Sequence, residues 1–305
     1  MRCPGDVLRG GFVNVRHMEQ ELKIGRYANI LLDRWFKRTF GREQAKRLMQ
    51  LFLQALIPDR EIAEISYGPQ EYINGSGADG KDIRLDVHCR DADGKLFIVE
   101  VQLVPQETFY ERAVFNSALV IQEQVPTGAE DWHFAPIYFI GILNFSLHKD
   151  TDQVLFRYRL REDNTGDVMT DRVQYLFLEV PNCSKALTED AQVLDNLCYA
   201  LGNISALEDK PAALKGELFD LLFNSAEIRN FAPRERNEYL TDMDTIRDRI
   251  NQLAYARKEG MKEGMKEGKA QGLAEVAKAL CEKGVAMDII VSVTGLSEEQ
   301  IRALV

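Results

Sequence analysis

The stretch LDVHCRDADGKLFIVEVQ, residues 85–102, decides the fold. Successive side chains of a strand point to opposite faces. Ile83, Leu85, Val87 and Cys89 therefore share one face, and Arg84, Asp86, His88 and Arg90 the other. DADG at residues 91–94 supplies residues suited to a hairpin turn. On the returning strand, Leu96, Ile98, Glu100 and Gln102 point one way, and Phe97, Val99, Val101 and Leu103 the other. Its first half is apolar on both faces, which marks a strand covered on both sides. Glu100 interrupts it, and a carboxylate buried there is costly unless it is paired or holds a metal.

The partner strand offers one acid, Asp86, which a plausible hairpin register brings opposite Glu100. Two adjacent carboxylates repel each other, and a divalent cation relieves the repulsion. The hard cations Mg²⁺ and Mn²⁺ take oxygen ligands of this kind, and the backbone carbonyl of Val101 is positioned to add a third. Spacing alone leaves a second reading open, with Asp86 facing solvent and Glu100 salt-bridged to Arg84 or Arg112.

Around the hairpin, residues 33–56 carry Trp35, Phe36, Phe40, Leu48, Leu51, Phe52 and Leu56 at helical spacing, with Gly41 as a break between two helices. Pro58 ends that element. Residues 61–73 alternate as a strand, residues 74–81 form a Gly-rich loop, and residues 106–125 read as an amphipathic helix. Three further strands follow in APIYFIGILNF, QVLFRYRLR and RVQYLFLEVP. This order predicts an α/β or α+β domain with a mixed central sheet flanked by helices. Residues 187–253 read as largely helical and give no chemical signal.

The tail differs. From Lys258, KEGMKEGMKEGKAQGL places glycines at 260, 264, 268 and 272, about one helical turn apart. Each glycine weakens a helix by roughly 0.5–1 kcal/mol relative to Ala. The stripe reads as a hinge or as a helix ordered by self-association, making a homo-oligomer a candidate assembly. Beyond it lies the cadence of three short helices, with Gly284 closing the first and Ser297 capping the last, three residues before Gln300. This resembles a helix-turn-helix, but acids outnumber bases there, and a packing or dimerising bundle is an equal reading.

The net charge of −10 and pI of about 5.1 are an awkward sign for a nucleic-acid binder. Residues 23–47 are the exception, with Lys23, Arg26, Arg34, Lys37, Arg38, Arg42, Lys46 and Arg47 against Asp33 and Glu43. That surface is either a solvated helix face or a phosphate-contacting one. Five scattered cysteines show no CxxC pairing, and the histidines no metal-ligand spacing. The longest apolar run, residues 135–143, is far short of the ~20 residues that span a bilayer. The N-terminus lacks the apolar core of a secretory signal. A cytoplasmic protein without membrane association is expected, with residues 1–20 as an unstructured leader and Met18 as an alternative start.

The pattern D-x(13)-E-x-Q formed by Asp86, Glu100 and Gln102, followed by an amphipathic helix, resembles the PD-(D/E)XK nuclease superfamily. DRWFKRTFG (33–41), RLDVHCRDADGKLFIVEVQ (84–102), FYERAVFNSAL (109–119), APIYFIGILNF (135–145) and VQYLFLEVP (173–181) occur in the order of one branch. That branch is the Rpn family of recombination-promoting nucleases, or PD-(D/E)XK nuclease family transposases, of which the Gly-studded tail is also typical. The resemblance implies a restriction-endonuclease-like fold and a DNA endonuclease promoting recombination or transposition-like rearrangement. Asp86 and Glu100 would be Mg²⁺ or Mn²⁺ ligands with the Val101 carbonyl, and Gln102 would take the place of the superfamily lysine. Asp33 and Lys37 fall in the family's D-x-x-F-K block, where Asp33 contributes to the site or caps the helix. Tyr110 and Arg112 are further candidates for contacts to phosphate or to the ligands. Gln102 departs from lysine and carries no charge, leaving that role to Lys37 or to the metal. A DNA-binding or assembly protein that keeps the fold without turnover is the competing expectation. The implied organisation is a nuclease-like domain at 21–185, a helical extension at 186–253, a Gly-periodic linker at 254–272 and a helical module at 273–305.

Overall fold

The computed structural model describes residues 24–304 apart from 70, 73–82, 126–127, 129, 131, 184–186 and 189–190, so the leader expected at residues 1–20 lies outside the described residues. The hairpin turn forms where the DADG stretch places it. Asp91 Oδ1 accepts the Lys95 N–H at 2.8 Å, and Gly94 takes a φ of 86°, which a side chain would disfavour.

The strands are β1 (Ile65–Tyr67), β2 (Glu71–Tyr72), β3 (Ile83–Arg84), β4 (Val87–Asp91), β5 (Leu96–Gln102), β6 (Ile137–Leu143), β7 (Leu155–Arg159) and β8 (Val173–Glu179). Six of them form a mixed sheet in the order β1-β4-β5-β6-β8-β7, while β2 and β3 pair separately. β5, β6 and β8 run parallel, and β1, β4 and β7 join as antiparallel strands toward the edges. Alternation over residues 83–90 predicts one strand. The chain instead breaks at Leu85 and Asp86, and Leu85 packs on the opposite face from Val87 and Cys89. The physical reason is the Asp86 carboxylate, which turns back toward β5.

β5 is covered on both sides, as its composition predicts. Phe97, Val99 and Val101 join a core with Phe36 and Phe40 of α1 (Asp33–Phe40) and Phe52 of α2 (Lys46–Leu56). Leu96 and Ile98 join a second core with Phe109, Ala113 and Val120 of α3 (Phe109–Gln124). Each such fully buried side chain contributes roughly 1.5–3 kcal/mol relative to exposure. Gly41 separates α1 from the turn leading into α2, as its position predicts. Two more helices, α4 (Val193–Asn203) and α5 (Glu217–Ala226), complete the first core.

Most of the basic stretch is tied into ion pairs. Arg26 meets Glu227 and Asp209, and Arg47 meets Glu217. Arg38 and Arg42 converge on Glu235 of α6 (Pro233–Glu282), at 3.2 and 2.6 Å. Burial pushes the Glu235 carboxyl up, but the two guanidiniums more than offset this and leave it at about 2. A depressed carboxyl stabilises the fold above its unfolded value and loses that contribution as pH falls through its folded value. Glu235→Gln therefore lowers the melting temperature at pH 7. The gap from wild type narrows as pH falls from about 4.5 toward about 2, and thermal unfolding across that range checks it.

The chain divides into two compact units, Met1–Met243 and Asp244–Val305. α6 runs unbroken for 50 residues and includes all four tail glycines. No heavy atom of the described residues outside the local helix lies within 4 Å of where a Cβ would stand on any of them. The first of the three expected short helices is thus the end of α6. α7 (Met287–Thr294) and α8 (Glu298–Arg302) follow, and Ala277, Ile290 and Ile301 form their small core. Ser297 and Gln300 cap α8 reciprocally, as their spacing predicts.

Candidate active site

The sheet register determines where the acids fall. Val87 faces Val99 across the hairpin, and the ladder ends there, one residue short of Asp86 and Glu100. The Asp91 N–H bonds to the Lys95 carbonyl at 3.0 Å. Hydrogen-bonded pairs alternate from there, and Val101 would meet the backbone of Leu85 in a continued ladder. Instead the Asp86 Oδ2 accepts the Val101 N–H at 2.9 Å. The amide and carbonyl of a strand residue share an edge, so the Val101 carbonyl opens toward Asp86 as well. The Asp86 side chain is 14% exposed and Glu100 is 3% exposed.

α1 delivers two more charges. Asp33 is its first residue. Lys37, one turn on, reaches Asp33 at 2.7 Å and Asp86 at 3.1 Å. The Lys37 ammonium thus holds the Asp33 and Asp86 carboxyls side by side, and two neighbouring acids hold one proton between them more readily than two negative charges. Burial drives Asp86 up to about 7, helped by Asp33 and opposed by the Val101 N–H and Lys37. Burial also pushes Asp33 up, but the neighbouring Asp86 and the Lys37 ammonium outweigh this and hold it below the usual carboxylate range.

α3 orients Glu100. Asn116 Nδ2 donates to Glu100 Oε1 at 2.7 Å, and Arg112, one turn earlier on the same helix face, lies 3.8 Å from Oε2 while also bonding Gln106. Burial raises the Glu100 carboxyl, and Arg112 and Asn116 oppose the rise. The helix comes this close because Gly141, beside Glu100 on β6, has no side chain. A Cβ there would stand 2.9 Å from Phe109 and 3.0 Å from Phe177. Gly141→Val is expected to cost about 1–3 kcal/mol by overpacking. Urea denaturation reads the loss, and the displaced helix takes Asn116 away from Glu100.

A family model, PD-(D/E)XK nuclease family transposase, matches residues 30–256. The chain belongs to this family. No curated protein and no solved structure matches it. The match spans the sheet, α1 and the hairpin that carries both acids, and the mixed sheet flanked by helices is the fold of a PD-(D/E)XK protein.

Among the described residues, no three His, Cys, Asp or Glu side chains converge closely enough to cage a metal. Mg²⁺ rarely needs such a cage, since one or two carboxylates suffice when water and substrate phosphate complete the shell. Asp86, Glu100 and the Val101 carbonyl are all hard oxygen donors. A cationic group, the Lys37 ammonium, already sits against Asp86. This donor set fits a hard divalent ion.

The remaining candidates from the PD-(D/E)XK pattern fall in different places. Gln102 is half-buried at the end of β5, and its carbonyl accepts the Asn144 N–H at 2.9 Å. Tyr110 packs against the rings of Phe177 and Tyr158. Tyr158 in turn contacts His148 Nε2 at 3.1 Å, and His148 Nδ1 meets the fully buried Glu179 at 2.7 Å. Glu179 also accepts the backbone N–H groups of Leu147 and His148, so this network staples a loop to β8. Sequence reasoning missed Asn116, Gly141, His148 and Glu179. Only Asn116 had a signal, its position one helical turn beyond Arg112.

Proposed function

We propose that this chain is a metal-dependent DNA endonuclease that hydrolyses phosphodiester bonds and promotes recombination or transposition-like rearrangement. The observation that carries this reading is the pair of buried acids Asp86 and Glu100 at the end of the hairpin, with Lys37 3.1 Å from Asp86. Asp86, Glu100 and the Val101 carbonyl would hold a Mg²⁺ or Mn²⁺ ion, which would supply charge neutralisation at the phosphate and a more acidic water. Gln102 orients the attacking water through its amide, which carries no charge. Lys37 supplies the positive charge that Gln102 lacks, offsetting the negative charge that develops on the phosphoryl oxygens in the transition state. Asp33 holds Lys37 in place, Asn116 fixes the Glu100 carboxylate, and Arg112 offers a second cation beside it. Supercoiled plasmid incubated with purified protein tests the reading. Nicked or linear product is expected with Mg²⁺ or Mn²⁺ and not with EDTA, and intact plasmid under every condition overturns it.

The neutral Gln102 and the net charge of −10 favour a second reading, a catalytically weak DNA-binding or assembly protein that retains the fold. Such a protein would retard duplex DNA and leave it uncut.

The proposed domain division is nuclease-like residues 21–185, a helical extension at 186–253, a Gly-periodic linker at 254–272 and a terminal helical module at 273–305. The proposed setting is the cytoplasm. Among the described residues no helix is long and apolar enough to cross a membrane. We assign self-association to the tail, where Met261 and Met265 stand 67% and 70% exposed beside the glycine stripe. Truncation after Gln252 is expected to lower the number of chains per particle, read by light scattering as particle mass over chain mass, and an unchanged number contradicts the assignment.

A further inference from the structure

A cavity of about 190 Å³ opens between α1 and the first turns of α6, lined by Arg34, Trp35, Lys37, Arg38, Arg42, Glu235 and Glu238. Four cationic side chains thus meet two carboxylates, and one of the cations, Lys37, is the residue that touches Asp86. The cavity lies one lysine away from the proposed reaction centre.

Its cations are not equally committed. Arg38 is a fixed wall: it donates to the Ser225 carbonyl at 2.8 Å, pairs with Glu235 and stacks 3.6 Å over the Phe231 ring. Arg34 is 57% exposed, and both of its ion pairs, to Glu238 and Asp242, are long at 3.5 Å. Arg42 is 50% exposed and shares Glu235 with Arg38. Long, exposed ion pairs such as those of Arg34 are weak and exchange readily. A guanidinium released from one forms a stronger, bidentate bond to a phosphate.

We propose that this cavity is a subsite for a backbone phosphate of the nucleic acid, flanking the phosphate attacked at Asp86 and Glu100. Arg34 and Arg42 supply the ligating guanidiniums, and Lys37 bridges the subsite to the reaction centre. This inference rests on the nuclease reading. Glu238 acts as an internal competitor that the phosphate displaces from Arg34.

The test measures binding of the full-length protein to a labelled DNA duplex in chelator, across a series of salt concentrations. Each phosphate contact contributes about −0.9 to the slope of log K against log salt for B-DNA. The Arg34→Gln/Arg42→Gln double variant is expected to bind several-fold more weakly, with a slope shallower by about one such contact. Glu238→Gln is expected to bind more tightly than wild type, a change that misfolding would not produce. Inorganic phosphate is titrated as a competitor in parallel. If wild type binds and cuts DNA while both variants keep its affinity and slope, the subsite is wrong and the nuclease reading stands. The subsite is also overturned if inorganic phosphate binding depends on Arg34 and Arg42 but duplex binding does not. Wild type that neither binds nor cuts DNA overturns both.

Discussion

Asp86→Ala and Glu100→Ala are each expected to lower Mg²⁺-supported DNA cleavage by at least about a thousandfold, the loss of several kcal/mol of charge stabilisation. The effect belongs in the chemical step. Single-turnover measurements with saturating protein should therefore show it, while duplex affinity in chelator holds or tightens because a negative charge has gone. Asp86 needs a companion variant, since its carboxylate also accepts the Val101 N–H. Asp86→Asn keeps an acceptor oxygen for that bond but gives up the full negative charge. A loss shared by Asn and Ala assigns the effect to charge, and a loss confined to Ala assigns it to the broken backbone contact. For Glu100, retained folding is checked by the melting temperature of Glu100→Gln, whose amide oxygen still accepts from Asn116.

The second large effect concerns the uncharged Gln102. Lys37→Met is expected to reduce kcat by about a hundredfold, the loss typical of one removed electrostatic stabiliser, with a smaller change in KM. Raising Mg²⁺ to saturation should not restore the rate. A lysine serving only to neutralise Asp33 and Asp86 before the ion arrives would be rescued by more metal. The sharper form is the double variant Lys37→Met/Gln102→Lys, which returns an ammonium to the position next to Glu100 on the same face of β5. Recovery of most of the lost rate would show that the cation serves the chemistry and can be presented from either element. Failure of both single and double variants to differ from wild type would remove Lys37 from the mechanism.

Local chemistry was readable in advance wherever it acts within a few residues. The hairpin turn at Asp91 and Gly94, the break at Gly41 and the Ser297–Gln300 cap each depend on side chains bonding or bending their own backbone. β5 was equally plain, because two-sided burial and an out-of-place acid are properties of a single strand. What the linear pattern concealed depends on partners far along the chain. Alternation argued for a continuous strand through Leu85 and Asp86, and the long-range pull of the Val101 N–H and Lys37 on the Asp86 carboxylate broke it. The basic residues of α1 gave no sign of their ion pairs, because the acids, Glu235, Glu238 and Asp242, lie some two hundred positions later. Lys37 sat in view as part of D-x-x-F-K, yet its reach to Asp86 required α1 to pack beside the hairpin. Gly141 gave no signal because its role is to be absent where Phe109 and Phe177 meet.

The placement of the cation decides among these readings most directly. Crystals grown with Mn²⁺ and measured on both sides of its absorption edge give a difference in anomalous signal at the ion alone. The expected result is one peak within coordination distance of an Asp86 oxygen, a Glu100 oxygen and the Val101 carbonyl, with Lys37 no longer against Asp86. A peak elsewhere, or none at a Mn²⁺ concentration that supports DNA cleavage, would contradict the proposed centre.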